Sequence, residues 1–420
     1  MRPTRLTVCS LLTFLSGAAL CPAAEEEGQA LLQTAHEQVQ QGLITEAVHT
    51  YQQVLAGMTE ARNEYCQVAE DAAWRLLAVK QEKEAMGMCD AGLQRMTVRR
   101  TVLELDQLST DVRVNLLMVK IHAAIAAEDL AIARQAIDLV LRQHPETQEA
   151  ADCIVLRAQL DHGDVAAAER MAADNQRAQA SLDLGGINIV SGKPEVLRTY
   201  PAALSEAAQR YSHTPHYLRL MRKQAMIYGQ IYDGPAQVDC YRKVLERLPN
   251  PLDSRIGWDV LTQTVMGWAV VIEHGPVKPG DTAELRRLAT MLFNYLDPRI
   301  SEVHRMERAP DVTLLARSEY AIMMAYNTDR NHAEVVKAAE KIISRYCERG
   351  SMRYTFARCH LHAGICLERM NEKDRAMAHY EEVLRMNKME PMPNTETVPK
   401  AAARLAKMGK VWTSNPLKER

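Results

Sequence analysis

Phenylalanine is nearly absent from this 420-residue chain, with three copies, and tryptophan follows with four. Aromatic residues make up only 5% of the sequence, which argues against a cleft built from stacked rings. Glycine (19) and proline (17) are also sparse, as expected when most residues sit in helices. Neither charge sign dominates. The 51 Lys and Arg against 53 Asp and Glu leave a formal net charge of −2, so no global attraction to nucleic acid follows. Nucleophile elbows, H-E-x-x-H motifs and paired-carboxylate sites are missing. Gly186 to Lys193 superficially resembles a phosphate loop, but Pro194 replaces the required Ser or Thr and no strand-like run precedes it. Beyond the first residues, no apolar run is long enough to cross a bilayer. Met266 to Ile272 is broken by Glu273 and His274.

What is present points to a large helical protein. Hydrophobic content of 47% is enough for a continuous core, and 25% charged residues exclude wholesale disorder. The first residues have the pattern of a secretory leader. Arg2 and Arg5 precede an apolar stretch from Leu6 to Leu20, then small residues to Ala24, then Glu25, Glu26 and Glu27. Cleavage is expected after Ala23 or Ala24, giving an exported protein. Cys21 is preceded by Leu20 and Ala18, the reverse of a lipid-attachment pattern, so no lipid anchor is expected. Cys66, Cys89, Cys153, Cys240, Cys347, Cys359 and Cys366 then remain. They are read as buried free thiols acting as small apolar residues.

The chain repeats itself. One αα-hairpin template of about 34 residues fits seven stretches. The clearest copy runs from Ala357 to Met389 and carries Gly364, Leu367, Asn371, Ala376, Tyr380, Val383 and Leu384. The template wants a small residue where two helices cross, then a turn former, a second small residue, an aromatic and two aliphatics. Small side chains let antiparallel helices approach, and large ones fill the space between hairpins. The first copy reads Ala35, Gly42, Ala47, Tyr51, Val54 and Leu55. Other copies centre on Ala73 and Ala85, on Ala124 and Ala133, and on Leu156 and Ala168. Later ones centre on Ala225 and Tyr241, and on Val335 and Ala339. Ala203, Ala207 and Tyr211 mark a degenerate one.

The G-x4-A-x3-Y-x2-[AV]-L runs at Gly42 and, with Asn in place of Gly, at Asn371 resemble tetratricopeptide repeats, here of an exported bacterial protein. The resemblance implies an all-α fold, an α-solenoid of stacked αα-hairpins with about seven to nine repeats and an irregular middle. It also implies a surface lined by the first helix of each hairpin that binds a peptide or protein.

The expected divisions are a leader at 1–24 and N-terminal repeats at 25–181. Degenerate and regular repeats follow at 182–249. An irregular insert or worn repeats occupies 250–311, C-terminal repeats 312–390, and a capping helix with a basic tail 391–420. Residues 182–194 are read as a loop. In the irregular middle, Trp258 to Glu273 and Asp281 to Leu296 read as helices, with Asp281 as N-cap and Glu284 as its reciprocal partner.

Taken together, the residues predict a non-catalytic, monomeric scaffold of a bacterial cell envelope. It would need no metal or cofactor and would bind a protein or peptide. Gln38, Gln41, Gln159, Arg219 and Arg222 lie on or beside first helices and are candidate contacts. Trp258 and Trp268, each after a glycine, are candidate groove residues in the irregular stretch. A glycan-binding surface protein is the alternative, and an (α/α) toroid glycan enzyme ranks below it. His213 with His216, and His360 with His362, lack the further ligands a metal needs.

Overall fold

The computed structural model describes residues 22–58, 62–97, 110–182, 194–274, 278, 280–301, 305, 310–346, 352–392 and 396–410. The expected leader, apart from its last three residues, falls outside them. So do the loop at 183–193, Cys347, and the tail beyond 410. Among the described residues every regular element is a helix. The chain divides into two compact units, up to Arg170 and from Met171 onward.

Unit 1 contains α1 (Pro22–Gln40), α2 (Ile44–Gly57), α3 (Arg62–Ala78) and α4 (Glu82–Thr97). It continues with α5 (Thr110–Ala126), α6 (Leu130–Gln143) and α7 (Gln148–Leu160). Helices pair as hairpins α1–α2, α3–α4 and α5–α6, and each hairpin packs on the next. The contact lines are built from small residues. Ala35, Ala47, Ala69, Ala73 and Ala85 are fully buried, and Tyr51, Leu76 and Leu116 fill the space between them. This is the pattern read from the sequence, and the predicted packing residues Ala47, Tyr51 and Ala133 are inaccessible to solvent.

Unit 2 holds most of α8 (Val165–Leu182), then α9 (Pro194–Leu197), α10 (Tyr200–Arg210), α11 (Tyr217–Gln230) and α12 (Gly234–Leu245). α13 (Arg255–His274) and α14 (Asp281–Leu296) follow. Then come α15 (Pro310–Thr328), α16 (His332–Arg345), α17 (Met352–Arg369), α18 (Lys373–Met389) and α19 (Thr397–Lys407). Its hairpins are α11–α12, α13–α14, α15–α16 and α17–α18, and α19 covers α18. The irregular middle therefore contributes a hairpin of its own. α13 packs on α12, α14 and α15, the neighbours a first helix has elsewhere in the unit. Predicted packing residues Ala168, Tyr241, Ala376 and Tyr380 are all buried. Gly364 lies under the Tyr380 ring, where an added Cβ would sit 2.5 Å from Cε1.

Seven hairpin turns share one backbone conformation. Gly42, Lys80, Glu128, His162, Tyr232, Arg330 and Asn371 all have left-handed φ between 52° and 78°. In each, the next N–H donates to a carbonyl five residues back, as from Asp129 to Ala124 at 2.8 Å and from Glu372 to Leu367 at 2.9 Å. This is the Schellman closure of a helix C-terminus. An acidic or amide side chain then caps the second helix at several turns. Asp129 accepts from Ile132 N, Asp233 from Ala236 N, and Asn331 from Glu334 N. The fourth turn carries one extra residue, so His162 rather than Gly163 takes the left-handed position and Ala168 still reaches the core.

Only one of these seven residues is glycine, so six side chains hold a conformation L-residues disfavour by roughly 1–2 kcal/mol. Tyr232 is 91% exposed and packs nothing in compensation. Tyr232→Gly is expected to stabilise the protein by about 0.5–1 kcal/mol once glycine's larger backbone entropy is subtracted. A urea unfolding midpoint that falls in this variant would contradict that assignment.

One predicted cap needs correction. α14 is capped by Gly280, at φ 89°, and not by Asp281. Asp281 is already helical, and its Oδ2 accepts from Lys278 N at 2.8 Å. Glu284 pairs with Arg287 at 2.7 Å and does not reach back to complete a capping box.

Three described residues of the C-terminal basic stretch are paired, and those beyond Lys410 lie outside the described residues. Lys400 pairs with Glu396, Arg404 with Glu368 at 2.6 Å, and Lys410 with Glu381. Two of these bonds tie α19 and its end onto α17 and α18, so the charges fasten the terminal helix.

Cys66, Cys89, Cys153, Cys240, Cys359 and Cys366 are buried and free of disulfides. Burial pushes the thiols of Cys89, Cys153 and Cys240 up to about 12, which keeps them protonated.

Candidate functional site

First helices in unit 1 present one continuous row of polar and aromatic side chains. The residue just after the small crossing residue of the template is His36 on α1 and Trp74 on α3. On α5, counted back from the turn residue Glu128, it is His122. At that helical position the side chain clears the partner helix of its own hairpin and faces the next first helix. Trp74 and His122 meet with ring centroids 6.1 Å apart, and the indole remains 43% exposed. Asp152, on α7, is exposed within electrostatic reach of His122 and accepts from Gln148 Nε2 at 3.1 Å.

Acidic residues stand on the helices of this row, α3 and α7. Asp71 lies 2.9 Å from His36 Nε2 and accepts from Arg75 Nε at 2.8 Å. Glu70 is hydrogen-bonded by the Asn115 side chain of α5. Glu149 stands one residue from the helix start beside Asp152. Arg75 is the cation of this set, and it is committed to Asp71.

Burial pushes the Glu70 carboxyl up to about 7, against the Asn115 hydrogen bond and with help from Asp71. Its folded pKa therefore lies above the ordinary 4.5. The folded state holds a proton that the unfolded state has lost between these values. Stability from this group is present below pH 4.5 and is lost as pH rises through 7. Glu70→Gln is expected to stabilise the protein at pH 8 by about 1–2 kcal/mol and to have little effect at pH 4. Urea midpoints for both proteins at the two pH values test the sign.

The predicted contact residues do not converge. Gln38 is half-buried and accepts from Thr50 Oγ1 at 2.9 Å within its own hairpin. Gln41 is exposed at the turn after α1, and Gln159 is exposed near the end of α7. In unit 2, Arg219 donates to Gln179 Oε1 at 3.0 Å, and Arg222 pairs with Asp259 at 2.6 Å. Both arginines thus serve helix-to-helix contacts. Trp258 and Trp268 are corrected outright: they are 5% and 2% exposed and belong to the core. Trp258 packs against Tyr295 at 5.1 Å, and Arg242 lies 4.9 Å from the Trp268 ring. Hydrophobic burial of two large rings in a helix rich in Val, Ile and Leu explains their place better than a groove does.

The histidine pairs are structural. His213 pairs with Asp174 at 3.1 Å, and His216, 1% exposed, meets Gln179 at 2.5 Å. His360 contacts His379, Nδ1 to Nδ1 at 2.9 Å, rather than His362. No group of three or more His, Cys, Asp or Glu suited to a metal occurs among the described residues.

Sequence reasoning missed His36, Glu70, Asp71, Trp74, Asn115, His122 and Asp152. A signal existed at three of them, since His36, Trp74 and His122 share one template position. The carboxylates enter only through the neighbouring helix.

No family model matches the sequence, and the curated proteins contain no match. Among solved structures, the human IFIT1 dimer with m7Gppp-AAAA is 14% identical. The match covers 92% of this chain and 85% of that one, with a TM-score of 0.30. The TPR domain of P58(IPK) is 12% identical over 91% and 99%, with a TM-score of 0.21. Naa15/Naa10 bound to HypK-THB is 14% identical over 92% of this chain and 63% of that chain, with a TM-score of 0.22. These scores are low, and the assignment as a TPR-like stack of helical hairpins rests on the helix pairs and repeated turns described above.

Proposed function

We propose that this protein is a non-catalytic scaffold that binds a protein or peptide on the first-helix face of unit 1. The exposed Trp74 indole on a helix face, beside His122 and on a row of helices that also carries carboxylates, is the observation that supports it. Large exposed aromatics with a polar rim are what partner sites use. Acidic charge along this row favours a protein over a nucleic acid, whose phosphates it would repel. The leader-like first residues support an exported, envelope-facing protein. A glycan site on Trp258 and Trp268 lacks support, because both rings are buried.

A photo-crosslinking amino acid at position 74, with one at exposed Gln53 on the second helix as control, tests the reading in source cells. A defined protein adduct at 74 and none at 53 is the expected result. Adducts at neither position would remove the scaffold reading, and a mature N-terminus upstream of Ala23 would remove the export reading.

A further inference from the structure

We propose that the first-helix face of unit 1 is selective for a basic segment, with an arginine or lysine seated on the Trp74 indole between the α3 and α7 carboxylates. This rests on the scaffold reading above and narrows its partner to one charge class.

Geometry and charge both lead there. The indole is 43% exposed although it stands on a helix whose neighbours Ala72, Ala73 and Leu76 are fully buried. The ring meets His122 at a tilt of 37°, while much of its surface stays open. An indole face attracts cations through its quadrupole, and tryptophan is the strongest such acceptor among side chains. Four carboxylates lie on the same row of helices: Glu70, Asp71, Glu149 and Asp152. Arg75 neutralises Asp71 alone, and His36 shares that carboxylate. Asp152 is exposed with Gln148 as a neutral partner, and half-buried Glu70 has Asn115. A cation over the ring thus gains ring attraction and the negative charges of Glu149 and Asp152 on the same row, while an acidic segment meets repulsion from both. Two further cations of unit 1 pair away from the indole. Lys120 pairs with Asp90 of α4, and Arg157 pairs with Asp138 of α6. Spacing of successive first helices, set near 10 Å by helix packing, also suits an extended chain presenting basic residues at intervals.

The same row offers a readout that a merely sticky acidic surface does not. A bound cation favours the charged form of Glu70, whose carboxyl otherwise holds its proton near neutrality. Binding of a basic segment at pH 7 should therefore release a proton, visible as a dependence of calorimetric heat on buffer ionisation.

Calorimetric titration of the full chain with hexa-arginine, hexa-glutamate and a neutral Gly-Ser hexapeptide, at low salt, tests the proposal. Hexa-arginine is expected to bind, with Trp74→Ala weakening it about 3- to 30-fold and Trp74→Phe retaining part of the affinity. Asp152→Asn should weaken binding, and Glu70→Gln should abolish the proton release. All four substitutions lie on the open row, and far-UV circular dichroism verifies the fold of each. Binding that is indifferent to Trp74→Ala and Asp152→Asn overturns the proposal, as does absence of hexa-arginine binding. A Trp74-dependent preference for hexa-glutamate or the neutral peptide also overturns it, yet leaves the scaffold reading standing. That reading is decided separately by the crosslinks at position 74.

Discussion

Glu319→Ala is expected to cost about 3–5 kcal/mol, the range for breaking a buried ion pair from one side. Glu319 on α15 is only 5% exposed. It holds Lys341 Nζ at 2.6 Å, Arg345 Nη1 at 2.9 Å and the Tyr346 hydroxyl at 2.6 Å. Arg345 then reaches Asp297 at 2.8 Å, and Arg305 joins Asp297 at 2.9 Å. One carboxylate thus links the end of α14 to the end of the α15–α16 hairpin. Without it, Lys341 turns to water, but Tyr346 is 3% exposed and its hydroxyl loses its partner. The stranded hydroxyl and the half-paired guanidinium carry most of the loss. Adding Tyr346→Phe to Glu319→Ala should therefore restore about 1 kcal/mol rather than deepen the damage. Urea denaturation of the two single variants and the double variant measures that coupling. Strictly additive losses would show that the network is ornamental.

Tyr380→Ala should be comparably severe, at about 3–5 kcal/mol for emptying a fully buried aromatic site. The ring fills the crossing between α17 and α18 directly above Gly364. Its hydroxyl donates to Glu368 Oε2 at 3.0 Å, and the same oxygen receives Arg404 from α19 at 2.6 Å. Tyr380→Phe keeps the packing and should cost only about 1 kcal/mol. Gly364→Ala pushes a methyl into the ring and should cost about 1–3 kcal/mol, less roughly 1 kcal/mol gained in helix propensity. Because ring and glycine share one contact, Gly364→Ala combined with Tyr380→Leu should lose less than the sum of the two. Stacked repeats open from their ends, so amide exchange in Met352–Lys407 reports these losses before global unfolding does.

That crossing was the most legible part of the sequence, and the reason is local. Gly364, Ala376 and Tyr380 lie within one hairpin, so their types alone reveal a close helix approach and the ring that covers it. The hairpin turns were half legible. Gly42 announces its left-handed residue, whereas Lys80, Glu128, Tyr232 and Arg330 do not, because the helix-closing hydrogen bonds impose the conformation on whatever side chain is there. The pairing of the basic C-terminal helix was not legible, because its partners Glu368 and Glu381 lie on earlier helices. Trp258 and Trp268 looked like a groove for the same reason in reverse, since the helices that bury them are placed by tertiary packing. Trp74 escaped notice because residue type alone does not reveal which tryptophan stays open. Only the row it forms with His122 and the α7 carboxylate does so.

The buried thiols make the chain its own set of unfolding probes. Cys66 and Cys89 report on the second hairpin, Cys153 on α7, Cys240 on α12, and Cys359 and Cys366 on α17. Each is buried and shielded from reagent until the helices around it open. Pulsed alkylation followed by peptide mapping should date the opening of each hairpin in the untouched wild-type protein, without inserted dyes or tryptophans.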